Sequence, residues 1–224
     1  MWESVADLLP DDWGLTLYDL RGHGLSDGAG SAMSEHAADL LALTRRGAVV
    51  CGLSIGGQIA MRAALDAPGH MRGLVLCATA PRIGDPGRYG DRSARVKREG
   101  MAAFAVEQME RWFTPSFASA RPAVVDGARA ALAAQDVEGY RAASAAIGGT
   151  DMWDDLRAIR VPTLCIAGAK DGSTDPQTMQ AMTACLPHAE LVVLDGIGHL
   201  PPVEVPEKVV QCIVPFVRRI YEGA

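Results

Sequence analysis

Residues Gly52-Leu53-Ser54-Ile55-Gly56 place a serine at the end of an apolar run, fenced by glycines. A hydroxyl so placed is a nucleophile if a base takes its proton and a third group holds that base. The G-x-S-x-G spelling suits a tight strand-to-helix turn that pushes the hydroxyl outward. The flanking glycines let strand and helix approach each other. The first free N–H groups of the following helix would face any oxyanion formed there. The plainer reading is a glycine-rich turn with a solvated serine, so the companions must decide.

Five histidines compete for the base. His199, in Asp195-Gly196-Ile197-Gly198-His199-Leu200, follows the last apolar run on a glycine loop, at the strand end where ligands collect in parallel sheets. It is the leading candidate. His23, in Arg21-Gly22-His23-Gly24, is a loop alternative, and His36, His70 and His188 read as surface residues. Asp171, in Ala169-Lys170-Asp171-Gly172, stands just past another apolar run and could orient the base. By itself it reads equally well as a turn aspartate capping a helix near Asp175.

These residues need elements to hold them. Leu15–Leu20, Ala48–Leu53, Gly73–Ala78, Pro162–Gly168 and Glu190–Asp195 are short, mostly apolar runs expected to form strands buried on both faces. Helical patterns at Ser31–Arg45, Gly56–Asp66, Asp175–Leu186 and Val205–Tyr221 lie between and after them. This alternation predicts an α/β fold, a mostly parallel sheet with helices on both faces. Between Ala78 and Pro162 the chain is alanine-rich and strandless. It reads as an inserted helical cap over residues 81–160, with the core formed by 1–80 and 161–224.

The chain has 224 residues, 49% hydrophobic and 21% charged, with a net charge of −6. Its basic residues are scattered, which argues against a nucleic-acid partner. No run approaches the roughly 18 apolar residues of a membrane span. The acidic opening MWESVADLLP is not a secretory signal. Five cysteines form no C-x-x-C pair, and no His/Cys cluster has metal-ligand spacing. Three cysteines lie in strand-like runs, which favours buried thiols, a reducing cytoplasm and no metal.

With the turn at Tyr18–Asp27, the elbow at Ser54, Asp171 and His199 in place, the chain resembles the α/β-hydrolase superfamily, whose Ser…Asp…His order it keeps. More narrowly, LVLCATAPRIGDP (74–86), MERWFTPSF (109–117), PTLCIAGAKDGST (162–174) and GIGHLPPVE (196–204) look like the 3-oxoadipate enol-lactonases of bacterial aromatic catabolism. The likeness implies cofactor-free hydrolysis of a small anionic enol-lactone, with the N–H of Ile55, next after the serine, as one oxyanion donor. A general carboxylesterase and a non-catalytic hydrolase fold are the alternatives. A substrate carboxylate would favour an arginine near the cap, Arg82 or Arg111, though surface solvation is the commoner state of either. Trp112 and Trp153 could wall the pocket or simply pack the cap on the core. Asp19 and Arg21 would hold their turn together.

The likeness also implies about three strands ahead of Met1, the third lying between Leu15–Leu20 and Ala48–Leu53 and bringing a second oxyanion donor. Their absence predicts an N-terminally truncated form of the fold, with a gap beside those two runs and a start assigned at an internal methionine.

Overall fold

The computed structural model describes residues 1–222 and opens on the one-turn helix α1 (Glu3–Ala6). Four strands, β1 (Val49–Leu53), β2 (Gly73–Cys77), β3 (Thr163–Gly168) and β4 (Ala189–Leu194), form one sheet in the order β1-β2-β3-β4. Every neighbouring pair is parallel. Leu53 sits beside Cys77, Cys77 beside Ile166, and Gly168 beside Leu194, so the C-terminal strand ends share one rim.

The pleat explains why the central strands are apolar throughout. Leu74 and Leu76 of β2, with Cys165 and Ala167 of β3, join one core cluster with residues of α2 (Met33–Leu43), α3 (Ile55–Asp66) and α8 (Pro176–Cys185). The alternate residues Val75, Cys77, Leu164 and Ile166 join the other cluster, with Val209, Ile213 and Phe216 of α10 (Pro206–Glu222). Both faces are covered, as parallel sheets require.

Between β2 and β3 the chain is helical: α4 (Pro86–Trp112), α5 (Pro115–Ala120), α6 (Pro122–Ala133) and α7 (Val137–Gly148). Local chemistry sets their starts. Asp85 accepts from Gly87 N ahead of Pro86, Thr114 from Phe117 N ahead of Pro115, and Asp136 from Gly139 N. Such caps satisfy first-turn N–H groups that have no helical partner. Gly100, at φ +80°, breaks α4 into two helical segments. Met101, Phe104 and Met109 of α4 belong to the same apolar cluster as α10, fastening the insertion to the sheet.

Leu15–Leu20, expected as a strand, is not one. It has no neighbouring strand to complete its backbone hydrogen bonds, and Leu15 and Leu17 are 48% and 57% exposed. A cavity of about 1810 Å³ separates this segment from β1. The gap expected there is therefore present, and β1 is an edge strand. Cys51, expected to be buried, is exposed on β1, whereas Cys77 and Cys165 are buried; all five cysteines are free thiols. Among the described residues, no helix is long and apolar enough to cross a membrane.

Candidate active site

Ser54 stands between β1 and α3 with φ +53° and ψ −116°, a conformation L-residues rarely adopt. The surroundings hold it there. Its N–H donates to Cys77 O (2.9 Å), and Thr79 Oγ1 donates to Ser54 O (2.6 Å). A Cβ on Gly52 would lie 2.2 Å from Gly56 O, so glycine is needed on the strand side. Gly56 itself has open space around a Cβ; the close helix-side approach is at Gly57, where a Cβ would lie 2.4 Å from Thr79 Cγ2. The second glycine of the motif is thus not the one that steric contact demands. Ile55 opens α3, whose first N–H groups lack i−4 acceptors, and it lines the cavity with Ser54.

Asp171 and His199 come together. The loops after β3 and β4 are stitched by Ala169 N donating to Leu194 O (3.0 Å) and Lys170 N to Ile197 O (2.8 Å). His199 Nδ1 then donates to Asp171 Oδ2 at 2.8 Å, and the two residues are 5% and 4% exposed. Asp171 also accepts from Ser173 N (2.7 Å), Thr174 N (3.2 Å) and Thr174 Oγ1 (2.8 Å). Burial pushes its carboxyl up, but the His199 hydrogen bond and charge and these donors outweigh burial and leave it below the usual 3.8. The helix cap near Asp175 belongs to Asp175 itself, which accepts from Thr178 N (2.7 Å).

With Nδ1 donating to a carboxylate, the neutral imidazole keeps an unprotonated Nε2, the state a general base needs. Ser54 and His199 line the same cavity, without a hydrogen bond between them. Catalytic hydrogen bonds are often long without substrate and tighten on binding.

Gly168 makes this convergence possible. A Cβ there would lie 2.0 Å from Gly198 O and 2.6 Å from Ile197 O. Gly168→Ala should therefore cost about 1–3 kcal/mol or more through overpacking, read as a lowered urea midpoint. It should also weaken activity by pushing the His199 loop aside.

The other histidines separate clearly. His23 also lines the cavity, but its Nδ1 pairs with Arg21 O (3.2 Å), so no carboxylate orients it. His188 is exposed and His70 half-buried. His36, expected at the surface, is instead 1% exposed, with Nε2 bonded to Gly30 O at 2.9 Å. It sits on the buried face of α2 with Met33, Ala37 and Leu40. Asp19 does tie its turn, accepting from Leu25 N (3.1 Å), whereas Arg21 reaches across to Asp39 of α2 at 2.5 Å.

Trp112 lines the cavity, and its carbonyl accepts from His199 N (3.0 Å). Trp153 does not line it; it packs against the cluster on the α2–α3 face. Arg111 lies outside the lining residues, and exposed Arg82 pairs with Asp151 at 3.1 Å. Five arginines line the cavity: Arg45 and Arg46 precede β1, at the strand end opposite Ser54, Arg218 lies on α10, and Arg88 and Arg92 stand one helical turn apart on α4. Among the described residues neither pairs with a carboxylate, while Arg95 and Arg98 farther along do. Arg92 stacks over Tyr89 (5.1 Å) and Phe104 (5.5 Å). The i, i+4 spacing of 88 and 92 on a helix was the signal available in the sequence. Thr79 was equally missed, although a lone polar residue between alanines after an apolar strand poses the question Ser54 poses.

Known proteins resemble this chain in sequence and in fold. A family model described as Hydrolase_4, serine aminopeptidase S33, matches residues 2–205. The 3-oxoadipate enol-lactonase 2 of Acinetobacter baylyi is 30% identical over 213 residues, covering 92% of this chain and 79% of that protein. A thermophilic esterase from Thermogutta terrifontis, solved with malate bound, superposes with a TM-score of 0.90 at 32% identity. That match covers 98% of this chain and 85% of the other. The enol-lactonase from Burkholderia xenovorans LB400 superposes with a TM-score of 0.84 at 29% identity, covering 89% and 79%.

Proposed function

Because this chain belongs to the serine aminopeptidase S33 family of α/β-hydrolases, we propose that it is a serine-dependent carboxylic ester hydrolase that opens a small carboxylated enol-lactone, giving 3-oxoadipate. The observation that carries this reading is the 2.8 Å bond from His199 to Asp171, on a histidine that shares one cavity with Ser54. The enol-lactonase relatives favour the lactone over other esters.

In this mechanism His199 Nε2 takes the Ser54 proton as Oγ attacks the lactone carbonyl. The carbonyl oxygen becomes an oxyanion beside the Ile55 N–H at the start of α3. When the tetrahedral carbon collapses, the ring C–O bond breaks and His199 returns the proton to the departing enol, which tautomerises to a ketone. Water, deprotonated by His199, then attacks the acyl-serine; C–Oγ breaks and Ser54 recovers its proton. Asp171 holds the imidazole tautomer and stabilises the imidazolium at each stage.

Of the lining cations, Arg88 and Arg92 on α4 would meet the substrate carboxylate, in place of Arg111, while Trp112 walls the pocket. The bound malate of the Thermogutta esterase, a dicarboxylate, is compatible with an anion-accepting pocket in this family. Arg92→Gln should raise KM for a carboxylated lactone about tenfold or more, the loss of a charge-assisted hydrogen bond. It should leave KM for a neutral p-nitrophenyl ester nearly unchanged. An equal effect on both substrates would assign Arg92 to packing.

The likeness to the Thermogutta esterase favours a second reading, a general carboxylesterase. Following ultraviolet loss of the enol-lactone beside p-nitrophenyl esters decides between them. Ester turnover without lactone turnover would leave only the broader reading. The five free cysteines fit a cytoplasmic site of action.

A further inference from the structure

Glu204 is a buried carboxylate that this chemistry does not use. It ends the short helix α9 (Pro201–Glu204) and is 9% exposed. Its Oε1 accepts from Gly198 N and from Thr114 N, both at 3.2 Å, and its Oε2 accepts from Thr114 Oγ1 at 2.9 Å. Burial outweighs these bonds and holds its carboxyl above the usual 4.5. An apolar side chain of similar volume would pack there at lower electrostatic cost. It would also leave three buried donors unpaired, each at a cost.

The two segments that Glu204 joins are the loop carrying His199 and the end of the first cap helix. They also touch directly, through His199 N donating to Trp112 O at 3.0 Å. The approach is so close that a Cβ on Gly198 would lie 2.8 Å from Glu204 Oε1 and 2.9 Å from Trp112 O. Gly198, His199, Trp112, Thr114 and Glu204 thus form a closed ring of backbone and carboxylate contacts. Asp171 grips His199 only at Nδ1, on its other side.

We propose that Glu204 is a positioning residue: its carboxylate locks the His199 loop to the Trp112–Thr114 end of the cap, setting where the imidazole stands at the cavity wall. One ring then fixes the base and a pocket wall together, so a displaced cap displaces the base as well. The proposal rests on His199 serving as the base for Ser54.

The test compares Glu204→Ala, Glu204→Gln and Thr114→Val with the wild type by three readouts. These are the rate constant for fluorophosphonate labelling, the downfield proton resonance of the His199 Nδ1–H, and the thermal midpoint. Glu204→Ala is expected to label at least about 30-fold more slowly, since ångström-scale misplacement of a catalytic group can cost about a hundredfold. Its resonance should broaden or vanish while the chain remains folded. Glu204→Gln keeps an oxygen for Gly198 N and Thr114 N, so it should retain the resonance and label within about tenfold of wild type.

A folded Glu204→Ala with wild-type labelling and an intact resonance overturns the proposal and leaves Glu204 a packing residue. If that variant does not fold, Thr114→Val decides: slower labelling supports the lock, and a wild-type rate overturns it. If the wild type itself takes no label, the reading of Ser54 as nucleophile fails. The resonance comparison, which needs no turnover, then still judges Glu204.

Discussion

A fluorophosphonate should label the wild-type chain once, at Ser54, and should leave Ser54→Ala unlabelled. Ester or lactone hydrolysis by that variant should fall by about 10⁶ in kcat, the usual cost of removing a serine nucleophile that works with its base. Stability should hardly change, for two structural reasons. The Ser54 hydroxyl makes no hydrogen bond among the described residues, whereas its N–H and carbonyl, which alanine keeps, do. The positive φ also costs alanine no more than serine, since both carry the same Cβ. Thermal midpoints within about a degree of each other would locate the whole loss in chemistry. A labelled Ser54→Ala, or a folded wild type that takes no label, would assign the hydroxyl no nucleophilic role.

Asp171→Asn should lower kcat by about 10⁴, with the elbow intact. The carboxylate accepts from four donors: Ser173 N, Thr174 N, Thr174 Oγ1 and His199 Nδ1. An asparagine can satisfy the two backbone N–H groups with its oxygen, which turns its NH₂ toward Thr174 Oγ1 and His199. The imidazole must then accept at Nδ1 and carry its proton on Nε2, so it cannot deprotonate Ser54. The same variant tests the acid limb of stability. Asp171 has a lower pKa folded than unfolded, so between the two values the unfolded chain binds the extra proton. Its stabilising contribution is complete above the usual 3.8 and is lost as pH falls through the lower folded value. Urea midpoints measured across that range should fall less steeply for Asp171→Asn than for wild type. Parallel curves would mean that the folded and unfolded carboxyl titrate alike.

The parts legible in the sequence were those with local spelling. Runs such as GLVLC and TLCIAG announce doubly covered strands, and the glycine-bounded Ser54 announces its own turn. Asp171 and His199 stood out because each follows a strand. Leu15–Leu20 was misread because its apolar content fits a strand, while strand formation needs a neighbour that no local pattern reports. His36 looked superficial because one polar residue in a helix says nothing of which face is buried. Arg88, Arg92, Thr79 and Glu204 were passed over for a shared reason. Each acts through a partner 25 to 90 residues away or through a cavity that exists only after folding.

The unpaired flank of β1 sets a limit on how far this site can use charge. Solvent entering from that side keeps the effective dielectric around an oxyanion high, so a dipole or N–H is worth less there than in a sealed pocket. Rate enhancement should then lean on the leaving group: good leaving groups such as enolates and aryl oxides turn over, while simple alkyl esters lag. A steep dependence of kcat on the acidity of the departing alcohol would be the kinetic imprint of that wet wall.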